Sequence, residues 1–423
     1  YRPYTGCYSK GNRFMTTRRD LLKFSTAGLA AVQLGCTASS TRSESEPLKV
    51  AAVVTEYRWF SHADVICGRL LGGYSANNQW HPPRTKLVSL YRAQVPKNDM
   101  AADLSARHGF RLYSSIQDAL TLGGPKLAVD AVVFIGEHGD YPTNDVGQKL
   151  YPRYELFSQI LDVYEQNKKG VPTLFDKHFS YDWKKAKELF ERSRKLGFPL
   201  IAGSSVPLTL RSPDIQPDLD TPMTEAVAVG YGPIDAYGFH LLEIMQCIAE
   251  RRKGGETGVQ EVEMIEGDRI WSWMEGEGSW SKQLVETAFA SGPSSQQGSY
   301  RSQAKDPVLI RITYRDGFKG AILILSPNQV DWTFAARVSG QAEPIHTLFW
   351  PHTDRPLPHF DGFVRCAEEM FVTGKELYPP ERTLLTTCVL SQAFESKRTN
   401  RPVQTPELNI TYKVPADVYY QTA

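Results

Sequence analysis

The stretch from Gly170 to Ser205, GVPTLFDKHFSYDWKKAKELFERSRKLGFPLIAGSS, constrains the fold of this chain more than any other. It opens with a short apolar run, Val171 to Phe175, closed by Asp176-Lys177-His178. Apolar or aromatic side chains then recur at Trp183, Ala186, Leu189, Phe190 and Leu196, a spacing that gathers them on one stripe of a helix. Asp182 stands where a side chain accepts from the first amides of that helix, and Gly197 where a left-handed residue ends it. A second apolar run, Pro199 to Ala202, follows at once. Two strands joined through a helix run parallel, because a parallel neighbour is reached only by a crossover. In a parallel sheet the usable crevice lies beyond the carboxyl ends of the strands, which is where Asp176, Lys177 and His178 emerge. A lysine there is either a solvated loop charge or a group aimed at a ligand.

The preceding residues repeat the same alternation. Lys49 to Val54 reads as a strand, His62 to Leu71 as a helix, and Leu87 to Leu90 as the next strand. Helices follow at Ala101 to His108 and Ile116 to Leu122, then a buried strand from Val129 to Ile135 and a helix from Tyr154 to Gln166. This order predicts a Rossmann-like parallel sheet over residues 47–210. A dinucleotide fold places G-x-G-x-x-G after its first strand, because glycine lets backbone amides approach a pyrophosphate. Here the segment is Thr55-Glu56-Tyr57-Arg58-Trp59-Phe60-Ser61, and no glycine occurs from Leu48 to Cys67. Glu56 repels a phosphate and Arg58 attracts one. The second strand ends in Tyr91-Arg92, where an acidic residue normally holds the ribose; Arg92 suits a ribose phosphate or is a plain surface charge. The third ends in Gly136-Glu137-His138-Gly139-Asp140, a ligand loop by its position, and one that is either solvated or, through Glu137, His138 and Asp140, able to meet a metal.

Residues 211–423 read as a second domain. Gly230-Tyr231-Gly232-Pro233-Ile234-Asp235-Ala236-Tyr237-Gly238-Phe239-His240 precedes a predicted helix from Leu241 to Arg252. Val259 to Gly267, Val308 to Tyr314 and Gly320 to Leu325 alternate as strands do, with Asp316-Gly317 as a tight turn. Residues 271–304 interrupt them as an insertion or long loop, whose Trp271, Trp273 and Trp280 either stack on sugar rings or pack on the sheet. Helices close the chain at Phe360 to Thr373 and Leu384 to Ser396, separated by a turn from Gly374 to Pro380.

The amino-terminal segment, residues 1–46, reads as an address rather than a structure. Thr17-Arg18-Arg19-Asp20-Leu21-Leu22-Lys23 is close to the twin-arginine export pattern and precedes an apolar stretch from Phe24 to Leu34 that is too short to span a bilayer. Met15 just before it suggests that residues 1–14 are an upstream extension. Cys36 stands where acylation would fall, with simple cleavage near Ala38 as the alternative, and a tether rich in Ser, Thr and Glu runs from Thr37 to Pro47. The expectation is export by the twin-arginine translocase, with a lipid anchor at Cys36 as the variant. The 48 basic and 47 acidic residues nearly cancel, which excludes a general electrostatic case for nucleic acid or anionic membrane. Cys67, Cys247, Cys366 and Cys388 have no metal-ligand spacing, and their pairing is not readable from sequence.

From Leu48 onward the chain resembles the glucose–fructose oxidoreductase / inositol dehydrogenase (Gfo/Idh/MocA) family. The resemblance rests on Val129-Asp130-Ala131-Val132-Val133, on Asp176-Lys177-His178 where the family has Glu-Lys-Pro, on Gly238-x-His240, and on the closing helix–turn–helix. It implies a Rossmann-like domain followed by an α/β domain whose open, mainly antiparallel sheet covers the substrate cleft and forms homo-oligomers. It further implies that Lys177 positions substrate and nicotinamide, and that His240 exchanges the hydroxyl proton. Asp235, five residues before His240 rather than the family's four, is the acidic partner. NAD or NADP would be held by Thr55, Arg58, Arg92, Gly136, Glu137, His138 and Asp176. The expected activity is oxidation or reduction of a sugar, sugar derivative or cyclitol. The missing glycines keep open a non-catalytic carbohydrate-binding or scaffold protein, and a metal-dependent lyase or isomerase built on Glu137, His138, His178 and His240.

Overall fold

In the computed structural model, residues 46–76, 79–326, 331–350, 357–417 and 419–421 are described. The twin-arginine motif, Met15 and Cys36 lie outside the described residues. The apolar run Leu48–Val54 forms strand β1, central to a six-stranded parallel sheet. The sheet is completed by β4 (Thr85–Arg92), β5 (Arg111–Tyr113), β6 (Ala131–Ile135), β7 (Thr173–Asp176) and β8 (Leu200–Gly203), in the order β5-β4-β1-β6-β7-β8. A small ribbon, β2 (Tyr74–Ala76) and β3 (Gln79–His81), precedes β4 and was not legible in the sequence. Helices α1 (His62–Gly72), α2 (Ala101–His108), α3 (Ile116–Thr121), α4 (Arg153–Asn167) and α5 (Trp183–Leu196) connect the strands. In α5 the expected caps form: Asp182 accepts from the amides of Lys184 and Lys185, and Gly197 is left-handed at φ 69°.

The second sheet has eight strands, in the order β16-β11-β12-β13-β10-β14-β15-β9. These are β9 (Leu210–Ser212), β10 (Met223–Tyr231), β11 (Val259–Glu266), β12 (Val308–Tyr314), β13 (Lys319–Ser326), β14 (Trp332–Val338), β15 (Ile345–Trp350) and β16 (Val403–Gln404). Only β10 and β13 pair in parallel, so the sheet is mixed and mainly antiparallel. One face carries α6 (Ile234–Ala249) and α11 (Glu381–Thr399), which share a hydrophobic core with α4 and α5.

Two sequence expectations are corrected here. Helix α6 starts at Ile234, seven positions before the expected Leu241, so Asp235 and His240 both lie within it. Of the glycine-rich stretch, Gly230 and Tyr231 end β10 and the part from Ile234 onward is helix: Pro233 takes the N-cap position, and Gly238 packs where a Cβ would lie 2.7 Å from Ile234 Cδ1. The insertion is not a loop but three helices, α7 (Arg269–Glu275), α8 (Ser281–Ala290) and α9 (Tyr300–Gln303). Their Ile270, Met274, Leu284 and Val285 bury the outer face of the second sheet against Val227, Leu309 and Leu323, with all three tryptophans packed alongside. This apolar face of the second sheet is thus covered by helices of the same chain.

Helix α10 (His359–Thr373) returns to the first sheet and packs on α1. Arg69 of α1 and Asp361 of α10 form an ion pair with side chains only 7% and 6% exposed, and Arg69 also donates to the Leu357 carbonyl at 2.9 Å. Cys67, Cys247, Cys366 and Cys388 are buried and free. No described helix is long and apolar enough to cross a membrane.

Candidate acid–base site

A cavity of about 470 Å³ opens beyond the carboxyl ends of β1, β6 and β7. Its walls come from α1, from α6 and β14 of the second layer, and from Leu357, His359 and Phe360 at the start of α10. Lys177 stands at its floor. The residue is left-handed, φ 74°, a conformation that costs about 1–3 kcal/mol and persists only where surroundings enforce it. Its amide donates to the Gly203 carbonyl at 2.9 Å, tying the end of β7 to β8. Position 203 must be glycine, with φ 119° and a Cβ that would meet Glu243 Oε2 and Thr383 Oγ1 at 2.6 Å.

The Lys177 ammonium is 4% exposed. Its Nζ donates to His240 Nε2 at 2.7 Å and to the Ala236 carbonyl at 3.3 Å, and lies 3.6 Å from Glu137 Oε1. Burial and the facing Lys177 charge hold the His240 imidazole well below its ordinary pKa, so it is neutral. An ammonium only donates, so Nε2 accepts, and the network assigns the proton to Nδ1, which donates to Ser204 Oγ at 2.6 Å. His240 is thus locked in one tautomer from both sides.

Glu137 is shared by two cations. Burial opposes its ionisation, but Lys177 and Arg153 beside it hold the carboxyl well below the usual range. Arg153, which is almost fully buried, bonds Glu137 through Nη2 and donates to His178 Nε2 at 3.0 Å. Burial and Arg153 keep His178 neutral. Gly136 makes room for Arg153, since a Cβ there would fall 2.6 Å from Arg153 Cγ.

His62, the first residue of α1, also lines the cavity and donates from Nδ1 to Asp176 Oδ2 at 2.6 Å. Its ring meets Phe360 and His138 edge-on, with centroids 5.1 Å apart in each case. His138 is also left-handed, φ 73°, and its Nδ1 lies 3.5 Å from Arg58 Nη2. Burial and His62 push the His138 imidazole down to about 3.

The structure brings Lys177, His240, Glu137 and His138 to one cavity, with Asp176 behind His62, but it does not place the other expected residues there in their expected roles. Asp235 accepts from the Lys149 amide at 2.9 Å, and Thr55 Oγ1 donates to the Glu137 carbonyl at 2.6 Å. Arg58 pairs with Glu56 at 2.6 Å, and Arg92 with Asp99 at 3.2 Å. Asp176 holds His62 rather than a ribose. Among the described residues no three His, Cys, Asp or Glu side chains are arranged to hold a metal, because Lys177 and Arg153 stand among the expected ligands. Sequence reasoning missed His62, Arg153 and Ser204; His62 alone carried a signal, following the helix-capping Ser61 at a strand's carboxyl end.

The other half of the carboxyl-end crevice, between β1 and β4, is closed by backbone. Ala93 donates to the Val54 carbonyl at 3.0 Å, Gln94 to Thr55 at 2.7 Å and Met100 to Tyr57 at 2.8 Å. Arg58 and Asp99 extend the pairing as an isolated bridge. The Gln94 side chain ties this seam to the next loop, donating to the Asp140 carbonyl and accepting from its amide, both at 2.9 Å. At the start of α1, Ser61 Oγ takes the Asp64 amide, and the Asp64 carboxylate takes the Phe60 amide at 2.9 Å. A pyrophosphate needs those amides free and no carboxylate beside them. These residues do not fit the dinucleotide that the fold family binds.

No family model matches the chain, and no curated protein does. Among solved structures it is similar to GenD2 from gentamicin A biosynthesis in complex with NAD, at 14% identity and TM-score 0.53 over 88% of this chain and 99% of that one. It is similar to myo-inositol 2-dehydrogenase from Lactobacillus plantarum, at 10% identity and TM-score 0.51 over 85% and 99%. A myo-inositol dehydrogenase from Corynebacterium glutamicum matches at 13% identity and TM-score 0.50 over 85% and 99%. The chain has the two-domain fold of the Gfo/Idh/MocA-type dehydrogenases. At these identities the likeness carries the fold and not the chemistry.

Proposed function

We propose that this protein binds a small, uncharged polyhydroxylated compound and performs acid–base chemistry on one of its carbonyl or carbinol oxygens without a bound dinucleotide. The observation that carries this is the buried Lys177 ammonium, 2.7 Å from a His240 imidazole held neutral and in one tautomer. A cation beside a neutral imidazole polarises a carbonyl and passes a proton to or from its oxygen. The cavity volume lies within the range of about 300–1,000 Å³ common to small-ligand sites. Its Tyr151, Tyr231, Tyr237 and Trp332 offer ring faces to the C–H faces of a sugar. The names of the fold relatives, inositol dehydrogenases among them, support a polyol at this place in the fold. The seam between β1 and β4 supports leaving the nicotinamide out.

A nicotinamide-dependent sugar or cyclitol oxidoreductase is the second reading, favoured by the NAD complex of GenD2. Export through the twin-arginine route remains a proposal that rests on Thr17 to Lys23 alone. One experiment separates the two activities. Natively purified protein is denatured and the supernatant examined for NAD and NADP by mass spectrometry, while calorimetry follows binding of neutral ketoses and inososes. Polyol binding without nicotinamide, lost in Lys177→Met, is the expected result; stoichiometric nicotinamide would establish the oxidoreductase instead.

A further inference from the structure

The Lys177–His240 pair handles oxygen, yet the cavity holds a second polar pair with no part in that work. His62 lines the cavity with its side chain 16% exposed, while Asp176 behind it is 2% exposed. Nδ1 is committed to the carboxylate at 2.6 Å, so in the neutral imidazole Nε2 is the accepting nitrogen. Phe360 and His138 pack edge-on against the ring and fix its plane. Position 62 opens α1, the place where this fold otherwise presents amides to a phosphate. Here it presents an imidazole with its own orienting carboxylate, in the same cavity that Lys177 lines.

We propose that His62, positioned by Asp176, is the base that removes a proton from the carbon next to the carbonyl held by Lys177, so that the protein interconverts hydroxy-carbonyl compounds by isomerisation or epimerisation. His62 Nε2 takes the proton of the C–H bond. The electron pair of that bond becomes the carbon–carbon double bond of an enediol, and the carbonyl π pair moves to oxygen, which Lys177 Nζ protonates or holds. In isomerisation the imidazolium then delivers its proton to the former carbonyl carbon, while the hydroxyl on the first carbon gives its proton to Lys177 Nζ and becomes the new carbonyl. In epimerisation the enediol turns its other face to His62, the proton returns to the same carbon, and the original oxygen gives its proton back to Lys177 Nζ. The two carbons exchange oxidation level in the first case and neither changes in the second, so the step balances with no external oxidant, reductant or metal. His138 is the competing imidazole, but burial and His62 push it down to about 3, which makes it a weak base.

The proposal depends on the carbonyl-binding role of the cavity given above, and its test keeps the two apart. Full-length protein, freed of small molecules by dialysis, is incubated in D₂O with a panel of neutral ketoses and inososes. Deuterium entry next to the carbonyl is followed by proton NMR, and binding by calorimetry on the same samples. Wild type is expected to incorporate deuterium. His62→Gln is expected to lose about 100-fold or more in exchange rate while its Kd changes less than about threefold. Asp176→Asn, which leaves the imidazole in place and misdirects its proton, is expected to lose about 10-fold or more in exchange with binding kept. Thermal unfolding of both variants separates loss of chemistry from loss of fold. Binding without exchange in wild type, or full exchange in His62→Gln, overturns the assignment of His62 alone; absence of binding across the panel overturns the carbonyl site beneath it.

Discussion

The carboxyl edge of the parallel sheet has two halves, and the chain has treated them oppositely. Between β1 and β4 the loops extend the strand pairing and cap the helix that would face a phosphate. Beyond β6 and β7 the loops hold buried charge open around a cavity. The difference lies in what each half needs. A dinucleotide cradle needs backbone amides left free, and a few side chains with Cβ atoms and carboxylates are enough to remove it. A proton-transfer site needs particular side chains on rigid ends, and it persists as long as those strand ends do.

The sharpest break of this contrast is Lys177→Met. Removing the ammonium leaves His240 Nε2 without its donor and Glu137 with Arg153 as its main counter-charge. Loss of about 10²–10⁴-fold in turnover or exchange is expected. Activity within a few-fold of wild type would place the chemistry elsewhere. A second break is Asp361→Ala, which takes the carboxylate counter-charge from the buried Arg69 where α10 forms the cavity wall. It is expected to lower unfolding free energy by about 3–5 kcal/mol in urea titrations; a change under about 1 kcal/mol would mean that α10 is held by its apolar contacts alone.

Acid sharpens the comparison from another side. His138, His178 and His240 all have folded pKa values below their ordinary value of 6.5. The unfolded chain takes up protons that the folded cavity refuses, so stability is full above about pH 6.5 and falls as pH drops below it. Each histidine contributes a slope of up to about 1.4 kcal/mol per pH unit there. Urea midpoints between pH 7 and pH 5 measure it, and His178→Asn is expected to reduce the slope. An unchanged slope would remove His178 from this account. The smallest effect falls on the sealed half. Gln94→Ala removes two side-chain hydrogen bonds to Asp140, and a loss of about 1–3 kcal/mol is expected. The backbone seam stays, so calorimetry with NAD should still give no saturable binding. Binding gained by this one change would break the comparison altogether.

How much of this was legible follows from the range over which each feature is decided. The α5 stripe with its two caps, five of the six strands of the parallel sheet (all but β5) and Lys177 at a carboxyl end were readable, because each depends on neighbours a few positions away. The start of α6 was not. Gly230, Gly232 and Gly238 read as a turn, yet residues 234–240 are helical, with Phe239 and His240 buried and Ile234 and Tyr237 packed on the core. Helices α7 to α9 were hidden because Gly276, Gly278, Gly292 and Gly298 punctuate the segment; these glycines lie between the helices, whose apolar side chains pack on the second sheet.

By itself the sequence determined the strand–helix alternation of the first domain, the absent glycine cradle and the placement of Asp176-Lys177-His178 at a strand's end. Periodicity, capping and the missing Cβ are local properties, so they are written where they act. Only the tertiary structure decided what those residues face. It set Lys177 against His240, 63 positions away, and Asp176 against His62, 114 positions away. It also spent Thr55, Arg58, Arg92 and Asp235 on partners within the chain. A hydrogen bond's partner is fixed by packing across layers, and the charge state of a buried group by everything that surrounds it.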